Sequence, residues 1–514
     1  MTVLKWGEAG DETQGEGSGG GDGQPQPRPD RGRPDGGPSP AARLLAPLLA
    51  PVAEIRNALR DAPRRATLRA AGIAVLSLLA YFLVRHLVKV SMVDMVVYRA
   101  EGSAVKNGQD LYDMRVTQWN LPATYPPFAA LLFTPTAWLP IPLLRVLVTG
   151  ANVLLLGGFS FLSTRLADWP RRELRPVAVL LAAGLGVWLE PIWTTFRYGQ
   201  VNLIIGCLVL WDLTRPDGHR GKGIGIGIAA GLKLTPGLFA VWLLLTGRVR
   251  AACTAAATGV GTMLVGWLLL PRASLSFWTK DIFDTSRVGK VWIVDNQSIR
   301  GVVCRFLHTT EPGTAGLVAA ACCGVLGLGV AVGWSRYGAR LRSARGEAWG
   351  AIACAVTALL ISPISWSHHW VWVLPMIVLL MSEAAREARA PEAVRHLRWR
   401  VATGLAIAAC VSFCLWIVPR KGDLDLHQKL WEQPFTAVYP LVGLAFLLLA
   451  GELLRRELRR VRGPWPGRPL LPHPRANAAA AGPAGPDRTG RADQAEQAEQ
   501  AAQADQMEKS PPSS

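Results

Sequence analysis

From about residue 70 to residue 451 the chain alternates long apolar runs with short basic or polar stretches. A helix of roughly 20 apolar residues matches the ~30 Å hydrocarbon core of a bilayer. Such runs fall near 70–90, 143–164, 176–196, 251–270, 313–334, 348–364, 401–418 and 435–451, with shorter ones at 202–213 and 369–381. A further apolar stretch, 223–248, has Lys233 and Pro236 midway, and proline is a natural helix break. It reads as two short helices meeting near Lys233; a single long span is the alternative and would invert one half of the topology. Residues 127–139 are apolar but too short to cross alone, and read as a re-entrant or interfacial helix. The pattern predicts an all-α polytopic membrane protein of about twelve transmembrane helices.

Flanking composition bounds this core. Residues 1–50 are rich in Gly, Pro, Asp and Arg and cannot bury enough apolar surface to offset chain entropy, so they are expected to be disordered. No apolar region follows Met1, so no signal peptide is expected. Residues 51–69 form a basic juxtamembrane segment, with an interfacial helix expected within 41–60. The transmembrane domain is assigned to 70–451, and 452–514 to a basic and then low-complexity tail.

A net charge of +18 would suit nucleic-acid binding, but Lys and Arg sit in clusters between apolar runs. That is the positive-inside signature of a multi-pass protein of the cell membrane. Arg60, Arg64, Arg65 and Arg69 precede the first run, which places both termini in the cytoplasm and the following loop outside. The 20 tryptophans suit the many membrane–water interfaces of such a protein. The 8 cysteines include no CxxC pair and suggest neither a disulfide framework nor a metal site.

That first outer loop carries the clearest candidate chemistry. Val93, Val96, Val97, Ala100 and Ala104 recur at helical spacing, and Asn107-Gly108 is a stop signal, so 94–106 is read as an amphipathic helix. Asp94 falls in its first turn, where the helix dipole favours a negative charge. A carboxylate at the mouth of a membrane bundle is costly unless it has a task. Under the same topology three further polar groups share its side: Tyr198 to Asn202, Asn296 to Gly301, and Ser362 to Trp370. Lys233 joins them if the two-helix reading holds. Helix ends are always polar, and that explains the tryptophans. It explains Gln200-Val201-Asn202, Asn296-Gln297-Ser298 and paired His368-His369 less well.

These motifs carry a resemblance. Asp94 with Tyr98, Gly108 to Asp113 and Tyr125-Pro126-Pro127-Phe128, then Gly199 to Asn202, Lys233 with Pro236, Asn296 to Gly301, and Ser362 to His369 follow one another in a pattern. It resembles the polyprenol-phosphate-mannose-dependent α-mannosyltransferases of actinobacteria, glycosyltransferase family 87. The resemblance implies a GT-C-like helical bundle and a general base in the first outer loop, which falls on Asp94. It also implies transfer of a hexose, expected to be mannose, from a polyprenyl-phosphate donor to a lipid-linked or cell-envelope glycan acceptor.

The chemistry of that transfer asks for a carboxylate to take the acceptor hydroxyl's proton. It also asks for cations where charge accumulates on the departing phosphate. Lys233, Arg300, His368 and His369 are the candidate cations, and Tyr98, Tyr125, Gln200, Asn202, Asn296 and Gln297 the further substrate contacts. Glu190 is a second, weaker candidate base. A β-linked donor displaced once gives an α product, hence an inverting enzyme. No metal and no cofactor are expected, since a charged lipid-phosphate leaving group with protein cations needs none. A transporter or flippase with an outer vestibule is the alternative. Its expected sign, two halves of matching hydropathy, is absent from the sequence.

Overall fold

The computed structural model describes residues 53–88, 90–341, 343–389, 397–420 and 422–461. The expected tails, 1–50 and the chain beyond residue 461, lie outside the described residues. Of the expected interfacial helix, 53–60 is described and is helical. Among the described residues the protein is helical throughout, with only isolated bridges at Val116–Leu121 and Asn296–Trp366.

Seven described helices are long and apolar enough to cross a membrane. They are α1 (Arg64–Leu87), α4 (Ile141–Ala167), α10 (Val249–Leu269), α13 (Gly313–Leu341), α14 (Ala344–Ile361), α16 (Arg398–Val411, continuing as a turn to Trp416) and α18 (Val438–Val461). Between α1 and α4 lie α2 (Val93–Lys106) and the short α3 (Pro127–Phe133). An eighth crossing is a bent pair, α5 (Arg175–Gly186) and α6 (Glu190–Tyr198), whose axes turn by 69°. The remaining apolar elements are half-length: α7 (Asn202–Leu213), α8 (Ile224–Leu232) and α9 (Gly237–Leu245). After α10 come α11 (Pro271–Ser276) and α12 (Ile299–Phe306), and α15 (Val373–Ala388) and α17 (Gln433–Thr436) complete the order.

Against the expected twelve crossings, seven described helices, or eight with the bent pair taken as one span, have the length and composition of a full crossing. A nine-residue helix such as α8 or α9 is only about 14 Å long at 1.5 Å per residue, half a bilayer core. Hydropathy registers apolar residues but not the break between them. The two-helix reading of 223–248 holds, and Lys233 stands at the junction with extended backbone. Residues 127–138 form α3 and the 3-10 turn Thr134–Trp138, too short to cross a bilayer.

Glycine explains how the short helices fit. A side chain on Gly225 would strike the Leu208 carbonyl of α7, and one on Gly227 or Gly231 would strike α10 at Thr258 or Thr262. Asp212, fully buried at the end of α7, accepts from the backbone N–H groups of Gly223 (2.8 Å) and Ile226 (3.0 Å) and thereby caps α8. The repeated Gly-Ile is thus a packing surface. Elsewhere, Trp334 of α13 stacks on Trp349 of α14 at 5.5 Å. The basic ends of the long helices are tied by Arg248–Glu347 and by Arg345 to Glu383 at 2.6 Å. The last helix runs on through Glu452 and Arg455 to Val461.

Candidate functional site

The start of α2 is fixed by the end of α6. Met92 takes a left-handed conformation ahead of α2 and donates its N–H to the Arg197 carbonyl at 3.2 Å. Two residues further along that strand of contacts is Gly199, at φ +70, ending α6 against Met92 and Met95. This turn delivers Gln200 to Asp94. Gln200 Nε2 donates to Asp94 Oδ2 at 2.5 Å, and Gln200 Oε1 accepts from Tyr98 Oη at 2.7 Å and Tyr125 Oη at 3.3 Å. Tyr98 sits one turn beyond Asp94 on the same face and stacks on Phe133 at 4.5 Å. The four residues Asp94, Tyr98, Tyr125 and Gln200 form one hydrogen-bonded network.

Asp94 lies outside the membrane-length helices. Burial raises its carboxyl from 3.8 to about 6, with the Gln200 hydrogen bond and the Lys233 charge pulling the other way. One further turn along α2, Glu101 is fully buried and its carboxylate closes no hydrogen bond among the described residues. Burial pushes it up to about 8, eased by the nearby Thr124 N–H and increased by the Asp94 charge. Glu101 was not singled out as a site residue; burial and lack of a partner are properties a sequence does not display.

The second half of the site is the turn Ser367–Trp372. Lys233 Nζ reaches His369 Nε2 at 2.6 Å, and His369 Nδ1 accepts from the Trp366 N–H at 3.1 Å. The His368 carbonyl accepts from Asn202 Nδ2 at 2.9 Å and Thr195 Oγ1 at 3.1 Å. The His368 ring lies edge-on to Tyr198, 5.5 Å away, and its Nε2 is buried without a partner among the described residues. Beside this pair is a partly open pocket. Lys233, His369, Asn202 and Ser365 line it with polar atoms, and Phe239, Leu359 and Trp372 with apolar surface.

Other expected contacts fall elsewhere. Asn296 is fully buried and spent: Nδ2 donates to the carbonyls of Val291 and Pro363, while Oδ1 accepts from the N–H groups of Ser365 and Ser298. Gln297, also fully buried, donates to the carbonyls of Val294 and Thr436 and accepts from the Tyr439 N–H. Both side chains tie the segment around residues 291–298 to the histidine turn and to α18. Arg300 packs its stem towards Gly316 of α13, and no described contact joins it to Asp94, Lys233 or the histidines. Glu190 is fully buried and accepts from Thr194, Ser367, Trp416 and Tyr439 at 2.6–2.9 Å, leaving no free face for a substrate proton.

The triplet Asp423-Leu424-Asp425, which the expectation of a metal-free site passed over, precedes α17. Asp425 is buried and faces the Val294 N–H at 3.4 Å. Among the described residues no three His, Cys, Asp or Glu side chains are grouped to hold a metal ion.

With this geometry in view, comparison with known proteins is specific. Residues 123–363 match Glycosyltransferase family 87, a segment that holds Gln200 and Lys233 but stops short of Asp94 and the histidines. A polyprenol-phosphate-mannose-dependent alpha-(1-2)-phosphatidylinositol mannoside mannosyltransferase of Mycobacterium tuberculosis (strain H37Rv) is 36% identical over 306 residues, spanning 56% of this chain and 70% of the relative. A polyprenol-phosphate-mannose-dependent alpha-(1-2)-phosphatidylinositol pentamannoside mannosyltransferase of M. tuberculosis (strain CDC 1551) is 30% identical over 379 residues, spanning 72% and 84%. Among solved structures, ArnT from Cupriavidus metallidurans bound to undecaprenyl phosphate aligns over 75% of this chain and 77% of its own, at 16% identity and a TM-score of 0.34.

Proposed function

Because the chain belongs to glycosyltransferase family 87, we propose that it transfers mannose from a polyprenyl-phosphate donor to a lipid-linked glycan, with Asp94 as general base. Mannose and the polyprenyl phosphate come from the names of the relatives. The residue roles come from geometry. The observation that carries them is a carboxylate with a lysine in its electrostatic reach: Asp94 is held by Gln200 and feels the charge of Lys233, which rests on His369 and lines the pocket.

The donor's phosphate sits at Lys233 and His369, and its isoprenoid chain lies against Phe239, Leu359 and Trp372. The acceptor hydroxyl attacks the anomeric carbon while Asp94 takes its proton. The bond from that carbon to the phosphate oxygen breaks, its electron pair leaves on the phosphate, and the Lys233 charge stabilises it. His368 Nε2, buried and unpartnered, is free to donate to the donor or to a sugar hydroxyl. One displacement on a β-linked donor yields the α product. Asn202 acts by holding the histidine turn, and Asn296 and Gln297 act as framework.

Arginine clusters at the alternate helix ends support an outward-facing site with both termini in the cytoplasm of a cell-membrane protein. The two relatives carry different acceptors in their names, so the acceptor is taken only as far as a mannosylated lipid. The test is transfer of radiolabelled mannose from polyprenyl-phosphate-mannose to phosphatidylinositol mannosides by the purified full chain. Label appearing in the lipid in an α linkage supports the reading; no label with a folded, donor-binding protein overturns it.

A further inference from the structure

Two arginines on the far side of His368 have no part in the chemistry above. Arg197, in the last turn of α6, lies 4.8 Å from the ring of Trp416 and 5.8 Å from that of Tyr198. Arg420 lies 4.0 Å from the same Trp416 ring. Its guanidinium has one ionic partner, Asp295 at 3.3 Å. The Arg197 guanidinium makes no hydrogen bond or ion pair among the described residues, although such a group carries five N–H donors. Arg305 is nearby in the electrostatics of Asp295 but is fully buried, with its donors given to the carbonyls of Trp292, Ile293, Asn296 and Thr436.

Asp295 lies within electrostatic reach of both guanidinium groups, but only Arg420 pairs with it, so the Arg197 donors stay open. The mount is rigid: Trp416 Nε1 donates to the buried Glu190 at 2.9 Å, which fixes the ring. The cluster therefore presents two guanidinium groups, one with open donors, at a fixed place. Arginine forks of this kind match phosphate oxygens. Location gives it meaning. Arg197 precedes by one turn the Gln200 that grips Asp94, and Tyr198 between them touches His368. The donor's phosphate has its own cation, Lys233, and its own cavity, so the arginine pair is a second anion site.

We propose that Arg197 and Arg420, mounted on Trp416, bind the phosphodiester of an anionic glycolipid acceptor and so aim its sugar hydroxyl at Asp94. This rests on the glycosyltransferase reading and names the acceptor subsite of the same site.

The test compares a phosphatidylinositol mannoside with neutral n-octyl α-D-mannopyranoside as acceptors for the purified full chain, and measures binding of a short-chain phosphatidylinositol mannoside directly. In Arg197→Gln and in Arg197→Gln/Arg420→Gln, the preference for the anionic acceptor, read as a ratio of kcat/KM, falls about ten- to a hundred-fold, the scale of a lost bond to a charged group. Arg197→Lys restores part of it. Binding of the short-chain lipid weakens in parallel and loses its salt dependence. An unchanged ratio with unchanged binding overturns the site, as does equal weakening on both acceptors. If the wild type transfers to neither acceptor yet binds the short-chain lipid through Arg197, the subsite stands and the transferase reading falls.

Discussion

Gln200 holds Asp94 with its amide nitrogen at 2.5 Å while its amide oxygen receives the Tyr98 hydroxyl at 2.7 Å. The tyrosine donor fixes which end of the amide faces the carboxylate, so Asp94 is oriented by a bond to α2's own next turn. The carboxylate is thus aimed as well as buried. Gln200→Leu keeps the bulk and removes both bonds. Turnover is expected to fall about a hundred-fold from misplacement of the base, with donor KM little changed. Removing a bond that favours the charged form also moves the acid limb of the pH–rate profile upward from about 6. A Leu variant with wild-type turnover would show that Asp94 needs no orientation.

The Asp94 carboxyl, raised to about 6 by burial, sets the pH dependence of the reaction. A base works only when deprotonated, so kcat/KM rises with pH through about 6; burial lowers Lys233 from 10.5 to about 7, so the loss of its charge makes the profile fall again at higher pH. Asp94→Asn removes the acceptor of the proton while keeping size and hydrogen bonding. Loss of a general base is expected to cost about 10² to 10⁴-fold in kcat, with donor binding intact. The sign for stability is opposite. Burial disfavours the charged carboxylate in the folded state, so above about pH 6 the Asn variant is expected to melt higher than wild type. A more stable and inactive variant separates a catalytic group from a helix-end carboxylate, whose replacement by Asn would leave activity in place.

Lys233 was legible as a polar residue in an apolar run, and Pro236 beside it as a break. Asp94, Gln200, Tyr98 and Tyr125 were legible because polar residues at helix ends in a membrane protein need a reason, and the structure joins all four. Span number was not legible, because α8 and α9 look like one crossing or two according to a bend that hydropathy does not record. Asn296 and Gln297 looked like substrate contacts for the same reason that Gln200 did. Their donors and acceptors prove to be filled by backbone groups, some local, such as Val291 and Val294, and some distant in the chain, such as Pro363 and Thr436. Sequence shows that a polar side chain is present, and only the fold shows whether it is already satisfied. Trp416 read as one more interfacial tryptophan, with nothing to mark the arginines it carries.

Lys233 carries a charge in the lining of the pocket. Lys233→Met is isosteric in its stem and removes that charge. Loss of an electrostatic group facing a developing anion is expected to lower kcat about 10² to 10³-fold, and donor KM rises as well. Lys233→Arg keeps the charge and is expected to recover part of the donor affinity. Kinetics with varied donor at saturating acceptor distinguish the two. Equal donor affinity in the Met variant would move the phosphate away from Lys233.

Asn296 should behave as framework. Asn296→Ala removes the partner of the Val291 carbonyl and of the N–H groups of Ser298 and Ser365, while the Pro363 carbonyl keeps Ser298 Oγ. Each buried group left unmet costs about 1–3 kcal/mol, so a marked fall in Tm of the detergent-solubilised protein is expected. The fraction that remains folded keeps its donor KM. A variant of normal Tm with weakened donor binding would return Asn296 to the substrate.

Gly199 is the hinge on which the Asp94–Gln200 bond depends. Its φ of +70 is left-handed, and an added Cβ would stand 2.8 Å from Met95 Cβ and 2.9 Å from Met92 Cε. Gly199→Ala thus meets two costs: about 1–2 kcal/mol for the backbone conformation, and a collision with the residues flanking Asp94. Relief comes by moving the α6–α7 junction away from α2, which separates Gln200 from the carboxylate. Gly108 provides the control, since its φ is +65 but a Cβ there meets nothing within 4 Å. Gly108→Ala bears the backbone cost alone, at the far end of α2. Gly199→Ala should therefore lose more Tm than Gly108→Ala, and kcat falls about a hundred-fold only in Gly199→Ala, the scale of an ångström-sized misplacement. Equal activity in both variants would mean that the α6–α7 junction does not set the geometry of the base.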